Sequence, residues 1–461
     1  MTARVAVVGA GIAGLAAAYA LRSSGLDVVV LDGADRIGGK LLVSEVGGIP
    51  VDAGAEAMLA RAPAGTALAA QVGADVVHPL ATSAGIWADG GWHPLPGRTV
   101  LGVPADIASV RASGLVSDAD AERIAAEPGL DGPVLRDDAP VATVIGARLG
   151  GGIVDRLVEP LLGGIYAGRS ELLSLRATMP AIAARLAERP SVVAAARSAL
   201  ATAPSASGPV FGTLIAGLGA LPALVAAASG AQIRTGTTVR AVERTSSGFR
   251  LIAGPVPHPE AIDVEGVIVA APATKAALML RAAAPAVARE LAGIDYASTA
   301  LLTFAFAGDP GLPAGRSGVL VPPSARLAVK AFTFSSAKWA HLAGPVTIVR
   351  ASLGRFGDEV VLQRDDGELV GLARTDLATV AGVRSEPVDV RVSRWGGALP
   401  QYNVGHLERV GRIEAAVGGV PGLEVCGAAY HGVGVPACIT DGQAAAGRIL
   451  AHLAEQNGSH G

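Results

Sequence analysis

The sequence is poor in cysteine, and its charges nearly cancel. Of 461 residues only two, Cys426 and Cys438, are cysteine. Two cysteines can build neither a disulfide framework nor the four-ligand centre of a structural zinc site, so we expect a reduced, cytoplasmic environment and no metal. The net charge is −3. Because there is no excess of positive charge to displace counterions from phosphates, we expect no nucleic-acid partner.

The chain also lacks the pattern of a secretion signal or of a membrane span. Its first residues run directly into a structural motif, so we expect no signal peptide. Residues 198–233 carry no charge, but Pro209, Gly217, Gly219 and Pro222 interrupt them. Glycine and proline at this density predict turns between short elements. No spanning helix is therefore expected, while the mean hydropathy of +0.46 leaves contact with a membrane surface open.

The first 32 residues have the pattern of a nucleotide-binding β-α-β unit. Residues 4–8 and 27–31 are apolar runs that predict buried parallel strands, and residues 15–25 predict a helix that ends at Gly25. A Gly-x-Gly-x-x-Gly motif lies between the first strand and the helix, formed by Gly9, Ala10, Gly11, Ile12, Ala13 and Gly14. Its glycines permit a tight turn, close approach of a diphosphate and packing of the helix on the strand, and Asp32 would accept hydrogen bonds from a ribose.

A second glycine-containing segment favours FAD over a nicotinamide cofactor. Residues 35–40 read Asp-Arg-Ile-Gly-Gly-Lys. The glycine pair, which includes Gly39, offers free backbone amides to phosphate, and Arg36 and Lys40 add positive charge beside it. The combination of this segment with the preceding motif is similar to the two-part N-terminal signature of flavoproteins of the amine-oxidase type.

Two later segments would complete a flavin site. In residues 51–57, Gly54 would let the backbone line the ring, and Glu56 is either a neighbour of the flavin or a surface acid. Residues 426–439 are glycine-rich, follow an expected strand and open an expected helix. The N-terminus of a helix suits the polar edge of an isoalloxazine ring, which carries negative charge when reduced. The two cysteines in this segment are interpreted as small packing residues, because no Cys-x-x-Cys motif is present.

The chain resembles the protoporphyrinogen/coproporphyrinogen oxidase family, the flavoenzymes of haem synthesis. The residues that carry the resemblance are EPLLGGIYAG at 159–168, HPLP at 93–96, KWAH at 338–341, RW with LPQYNVGH between 394 and 406, and GAAYHGVGVPAC at 427–438. HPLP and KWAH are closest to the bacterial, coproporphyrinogen-oxidising branch. Three positions depart from the family pattern: Asp32 replaces the usual glutamate, and Arg169 and Ala437 stand where aspartate is usual.

The resemblance implies FAD as the cofactor and names its contacts. The implied FAD-binding residues are Gly9, Ala10, Gly11, Ile12, Ala13, Gly14, Asp32, Gly33, Arg36, Gly39, Lys40, Gly54, Ala55, Glu56, Ala57, Val239, Trp395, Val433, Gly434 and Val435. The implied substrate is a reduced tetrapyrrole bearing carboxylates, for which Arg98, Arg61 and Arg176 are candidate anchors. Tyr166 and His406 are candidate catalytic groups, although each would also suit a structural role. Hydride would pass from the macrocycle to the flavin, and dioxygen would reoxidise the flavin, giving hydrogen peroxide.

The expected fold is α/β, with three domains. A Rossmann-type FAD-binding domain of the two-dinucleotide-binding type would comprise residues 1–80, 207–275 and 415–461. A substrate-binding domain with a mixed sheet would comprise residues 81–96 and 276–414, and a helical domain would comprise residues 97–206. Within these regions, residues 84–96 predict a hairpin that turns at Asp89 and Gly90, and residues 210–232 predict a loop followed by a helix. The two ends of the chain would therefore meet at one cofactor.

Several functions are compatible with this organisation. Oxidation of coproporphyrinogen III is the first choice and oxidation of protoporphyrinogen IX the second. A flavin oxidase acting on amines and a non-catalytic binding protein on the same fold are two further candidates. The family resemblance also leaves room for a transient partner protein of the haem pathway.

Overall fold

The computed structural model describes residues 3–80, 83–202 and 208–458. The strands are β1 Arg4–Val8, β2 Asp27–Leu31, β3 Val43–Val46, β4 Ile49–Asp52, β5 Met58–Leu59, β6 Val76–Val77, β7 Ser83–Ala88, β8 Gly91–Pro94, β9 Thr99–Val100, β10 Val103–Pro104, β11 Phe211–Leu214, β12 Gln232–Arg234, β13 Val239–Arg244, β14 Phe249–Ala253, β15 Glu260–Val264, β16 Gly266–Val269, β17 Tyr296–Ala307, β18 Arg316–Leu320, β19 Val329–Thr333, β20 Val346–Leu353, β21 Asp389–Pro400 and β22 Leu423–Val425. The α-helices are α1 Ile12–Leu21, α2 Pro63–Gln71, α3 Ile107–Ser113, α4 Asp118–Ala126, α5 Val141–Leu149, α6 Gly151–Ile153, α7 Glu159–Tyr166, α8 Leu175–Thr178, α9 Pro180–Leu186, α10 Val192–Thr202, α11 Leu221–Ser229, α12 Ala273–Met279, α13 Pro285–Ala292, α14 Ser335–Lys338, α15 Asp366–Ala381, α16 His406–Gly418 and α17 Val435–Gly458.

A five-stranded parallel sheet joins the two ends of the chain. Its order is β12-β2-β1-β16-β22, so β1 lies between β2 and the much later strand β16, and the last strand of the chain, β22, closes one edge. The predicted β-α-β unit is present, but α1 ends at Leu21 rather than at Gly25. The hydroxyl of Ser24 donates to the carbonyl of Leu21 (2.6 Å), which satisfies one of the carbonyls left free at the helix end.

A seven-stranded mixed sheet lies beside the parallel one. Its order is β21-β17-β20-β19-β18-β7-β8, antiparallel throughout except where β18 pairs with β7 in parallel. The predicted hairpin in residues 84–96 is present as β7 and β8, with positive φ at both turn residues, Asp89 and Gly90. One face of this sheet packs in an apolar core with α15, where Phe304, Phe332 and Leu369 are buried.

The helices α3 to α10 pack in another apolar core, which also receives Ile86 and Ala88 from β7 and Tyr402 from the segment after β21. The expected domain boundaries near residues 81 and 206 lie outside the described residues. Strand β11 lies in a segment for which the sequence predicts a loop, and it forms through pairing with β5 and β6, which are distant in sequence. Within the described part of the chain, no helix has both the length and the apolar character that crossing a bilayer requires.

Candidate functional site

A cavity of about 1080 Å³ lies between the two sheets and the helical region. Its walls include the residues that follow the carboxyl ends of four parallel strands: Gly9 after β1, Asp32 after β2, Ala270 after β16 and Cys426 after β22. In open α/β sheets ligands bind at this edge. This volume slightly exceeds the range of about 300–1,000 Å³ that is typical of small-molecule sites, so the cavity has room for a large ligand. We call it the central cavity.

The three glycines of the first motif differ in what requires them. Gly9 has φ +113°, and a Cβ there would lie 2.8 Å from the carbonyl oxygen of Ala270. A Cβ on Gly14 would lie 2.0 Å from the carbonyl oxygen of Gly9. A Cβ on Gly11 would meet no protein atom within 4 Å, because Gly11 faces the central cavity. Packing therefore requires Gly9 and Gly14, whereas only a closely bound ligand requires Gly11.

The positive end of α1 is presented to the same cavity. The N-terminus of this helix has no side-chain cap, and Ile12 and Ala13 line the cavity. Uncapped amides at a helix N-terminus favour a phosphate. The Asp32 carboxylate accepts hydrogen bonds from the N–H groups of Ala10 (2.6 Å) and Ala34 (2.8 Å), which hold it at the cavity wall. Carboxylate oxygens have further lone pairs for the hydroxyls of a ribose.

The second glycine segment is attached to the first. The N–H of Gly38 donates to the carbonyl of Ala10 (2.7 Å), and Gly38 and Gly39 both have positive φ. Lys40 lines the cavity, and its ammonium forms no hydrogen bond or ion pair with the described residues. Burial lowers the pKa of Lys40, because the charged ammonium loses its contact with water. An anionic ligand in the cavity would supply the missing negative charge.

A turn at Gly54 closes the cavity on another side. A Cβ on Gly54 would lie 1.9 Å from the carbonyl oxygen of Lys40, so only glycine fits there. The indole Nε1 of Trp395 donates to the carbonyl of Ala53 (2.9 Å), which ties β21 to this turn. Gly54, Ala55, Ala57 and Trp395 all line the cavity.

The C-terminal segment supplies a second helix N-terminus. Val433, Gly434 and Val435 at the start of α17 line the cavity. Cys426 and Cys438 are buried, are not disulfide-bonded and also line the cavity. Burial raises the pKa of Cys438 to about 12, which keeps it a neutral thiol.

These features fit FAD. Two helix N-termini, the open Gly11 position and the unpaired Lys40 ammonium face one cavity that contains segments from both ends of the chain. The sequence profile described as flavin-containing amine oxidoreductase matches residues 12–450. The chain belongs to this family. FAD is therefore its cofactor, and the chain is an oxidoreductase.

Three proteins are similar to this flavoprotein along nearly its whole length. The coproporphyrinogen III oxidase of Mycobacterium leprae is 40% identical over 98% of this chain and 99% of its own length. The coproporphyrinogen III oxidase of Bacillus subtilis is 29% identical over 97% of this chain and 98% of its own. The crystal structure of a protein named putative protoporphyrinogen oxidase, from Exiguobacterium sp. 255-15, has a TM-score of 0.86 and 30% identity, covering 98% of this chain and 99% of that one. This chain therefore also belongs to the family of the coproporphyrinogen III oxidases.

Sixteen of the twenty residues expected to contact FAD line the cavity, and these sixteen include Val239 and Gly33. The other four do not. Ala10 and Gly14 are buried within the motif. The guanidinium of Arg36 donates to the carbonyl of Gly39 (2.8 Å). Glu56 is directed into the protein rather than to the surface or the flavin.

The Glu56 carboxylate lies at the centre of a buried polar cluster. It accepts hydrogen bonds from Arg350 (2.6 Å), Lys338 (3.1 Å), Ser335 (3.1 Å) and the Trp339 indole. Burial alone would raise the pKa of Glu56, but Lys338 and Arg350 outweigh it and hold the pKa well below its ordinary value. The Arg350 guanidinium also donates to the carbonyl of Gly54 (2.6 Å). Glu56 thus supports the turn at Gly54, which lines the central cavity, without itself lining the cavity.

The residues expected to bind substrate or to act in catalysis do not line the cavity. Arg98 is exposed and paired with Asp106 (3.1 Å), Arg61 is exposed, and Arg176 donates to the carbonyl of Arg136. Tyr166 and His406 are buried against Tyr402, at centroid distances of 5.5 and 3.9 Å. The structure thus brings their sequence motifs together, but neither side chain lines the cavity.

The structure adds cavity residues that the sequence analysis missed. Thr299 and Leu301 on β17, Ser352 on β20 and Lys330 on β19 line the cavity from the seven-stranded sheet. Strand alternation could have placed Thr299 and Leu301 on one face. Lys330 could not be found in this way, because a β-bulge interrupts the alternation of β19.

Proposed function

We propose that this flavoprotein oxidises coproporphyrinogen III to coproporphyrin III in successive two-electron steps, with dioxygen as the final acceptor. The observation that carries the proposal is the division of the central cavity into two unlike parts. One part consists of glycine-rich loops and helix N-termini, and the other is the face of a sheet with apolar and a few polar side chains. The names of relatives 38–40% identical along nearly the whole chain support this substrate.

The apolar part of the cavity suits a large macrocycle. Leu301 and Leu399 on the seven-stranded sheet line it, as does Ile165 of α7, and they would pack against pyrrole rings and exclude water. Bound FAD supplies the two-electron acceptor, and dioxygen takes up both electrons with two protons to form hydrogen peroxide. The protein residues hold the macrocycle against the ring and orient the bond to be oxidised.

We also propose the sixteen cavity-lining residues named above as the FAD contacts, and the three-domain division of the sequence analysis as the organisation of the chain. The separate apolar cores of α1, the mixed sheet and the helices α3 to α10 support this division. A further core packs residues 276–294 and 410–413, which the division assigns to the substrate-binding domain, against the parallel sheet. Protoporphyrinogen IX is the second candidate substrate, because the similar Exiguobacterium protein is named as an oxidase of protoporphyrinogen.

The test is oxidation of both porphyrinogens by FAD-loaded enzyme in air, followed by porphyrin fluorescence and a peroxide assay. We expect coproporphyrinogen III to be oxidised with the higher kcat/KM, and one peroxide to form for each two-electron step. Putrescine serves as the amine control. Faster oxidation of protoporphyrinogen IX would make it the preferred substrate in place of coproporphyrinogen III. Turnover of the amine alone would refute the proposal. Failure of the protein to take up FAD would favour a non-catalytic binding protein.

A further inference from the structure

Lys330 is a buried cation on the cavity face of the seven-stranded sheet. It is 6% exposed and lines the central cavity, and its ammonium donates to the carbonyl of Gly354 (2.8 Å). No carboxylate lies within ion-pair distance of it among the described residues. A buried ammonium with only a neutral partner is costly unless a ligand completes its environment.

A β-bulge directs Lys330 toward the cavity. Val329 pairs with Leu353 and Ala331 pairs with Ser352, so Lys330 is the extra residue and has no partner on β20. In regular alternation Lys330 would share the face of Phe332, which lies in the apolar core against α15. With the extra residue, Val329 and Phe332 both reach that core and Lys330 faces the cavity. Bulges that redirect a side chain in this way are frequent beside active sites.

Two hydroxyls lie on the same face as Lys330. Leu301 on β17 pairs directly with Ser352 on β20, so their side chains share one face of the sheet. Thr299 is two residues before Leu301 on the same strand and therefore lies on that face too. All three residues line the cavity. The side-chain hydroxyls of Thr299 and Ser352 form no hydrogen bond within the described part of the chain. Three side chains with unused donors therefore converge on one region of a mostly apolar wall.

The charged surroundings of Lys330 are positive. Arg355 is the charged group that acts on it most directly, and burial together with Arg355 lowers the pKa of Lys330 to about 7. Arg355 donates to the carbonyl of Val321 (2.8 Å), and the acids near Arg355 are Glu159 and Asp358. Burial raises the pKa of Glu159, whose carboxylate accepts a hydrogen bond from the N–H of Ser170 (2.8 Å). An anion is thus the ligand that this region lacks.

We infer that Lys330, with the hydroxyls of Thr299 and Ser352, binds one carboxylate of the substrate and orients the macrocycle. The inference rests on the proposed function, because it needs a substrate that carries carboxylates. The α1 loop and Lys40, which line the same cavity, would account for the diphosphate of FAD. Lys330 is then a substrate-binding residue that sets affinity and orientation.

The test compares a tetracarboxylate with its uncharged ester. Binding of coproporphyrin III and of its tetramethyl ester to FAD-loaded enzyme is measured by fluorescence. Lys330→Met retains the aliphatic stem and removes the charge, so we expect about 10- to 100-fold weaker binding of the acid and less than about 2-fold change for the ester. In turnover of coproporphyrinogen III, KM should rise by the same factor while kcat changes little. Lys330→Arg should retain part of the affinity for the acid.

Arg326→Gln is the matched control, since it removes an exposed cation near the same strand that does not line the cavity. Ser352→Ala and Thr299→Val, each expected to weaken binding of the acid a few-fold, provide the test if Lys330→Met does not fold. Equal weakening of acid and ester, a fall in kcat at constant KM, or a matching loss of FAD affinity would overturn the inference. If the wild-type enzyme oxidises the porphyrinogen and Lys330→Met binds the acid as tightly as the wild type does, this inference alone is refuted. If the wild-type enzyme holds FAD but binds no tetrapyrrole, the proposed function is refuted as well.

Discussion

The hydroxyl of Tyr402 accepts a hydrogen bond from the N–H of Gly432 (2.8 Å) and donates one to the carbonyl of Ala428 (2.8 Å). One side chain from the segment after β21 thereby closes the C-terminal loop that precedes α17. Because residues on both sides of this contact line the central cavity, Tyr402 couples the stability of the loop to cofactor binding.

Tyr402→Phe should therefore weaken the holoenzyme. It leaves the Gly432 N–H and the Ala428 carbonyl without their partner, so we expect a loss of about 1–3 kcal/mol in the free energy of unfolding and a weaker affinity for FAD. Urea unfolding and FAD titration measure the two effects. Tyr166→Phe is the control, since the Tyr166 hydroxyl has no hydrogen-bond partner among the described residues. Equal losses in both variants would contradict a role for the Tyr402 hydroxyl.

We expect Gly11→Ala to weaken FAD binding and Gly14→Ala to lower the stability of the fold. The Cβ at position 11 meets only the cavity, so we expect a folded apoprotein with about 10- to 100-fold weaker FAD binding. The Cβ at position 14 meets the Gly9 carbonyl, so we expect a loss of about 1–3 kcal/mol or more in stability before any cofactor is added. Thermal unfolding of the apoproteins and FAD titration separate the two. A Gly11→Ala variant that binds FAD normally would disprove the assigned phosphate approach.

Glu56→Gln should destabilise the fold strongly. The substitution leaves the buried Arg350 and Lys338 without their negative partner, which costs about 3–5 kcal/mol for a broken buried pair. Because the pKa of Glu56 lies below its unfolded value, its contribution is present above about pH 4 and is lost only as the pH falls toward the lowered value. Urea unfolding at pH 7 measures the loss. Glu45→Gln, on the partly exposed strand β3, is the control.

His406 should make the fold sensitive to mild acid. Burial lowers the pKa of His406 to about 4, so between roughly pH 6.5 and 4 the unfolded chain takes up a proton that the folded chain does not. Stability is therefore lost as the pH falls through this range, by about 2–3 kcal/mol from this group. His406→Phe retains the ring against Tyr402 and removes the titration. If unfolding free energies of wild type and variant fall in parallel over this range, His406 is not the cause.

Arg98→Ala separates the sequence-based anchor from the cavity-based one. The side chain of Arg98 is 66% exposed and pairs with Asp106 outside the cavity walls. We therefore expect KM for the porphyrinogen to stay within about 2-fold of wild type, in contrast to Lys330→Met. A clear rise in KM would instead support the sequence-based expectation that Arg98 binds a substrate carboxylate.

Local patterns in the sequence predicted the nucleotide-binding unit and the hairpin at Asp89 and Gly90. These features follow from neighbouring residues, because strand alternation, turn chemistry and glycine spacing act over short distances. Strand β11 could not be found in this way, since its hydrogen bonds go to strands far away in the sequence.

The sequence alone determined that the chain has a dinucleotide motif at one end and a glycine-rich helix start at the other. Only the tertiary structure decided that Glu56 turns into a buried cluster, that Tyr166 and His406 pack against Tyr402 rather than line the cavity, and that a bulge brings Lys330 to the cavity. The physical reason is that burial and charge pairing depend on which distant segments meet. Such contacts produce no periodic pattern in the sequence of the segment that makes them.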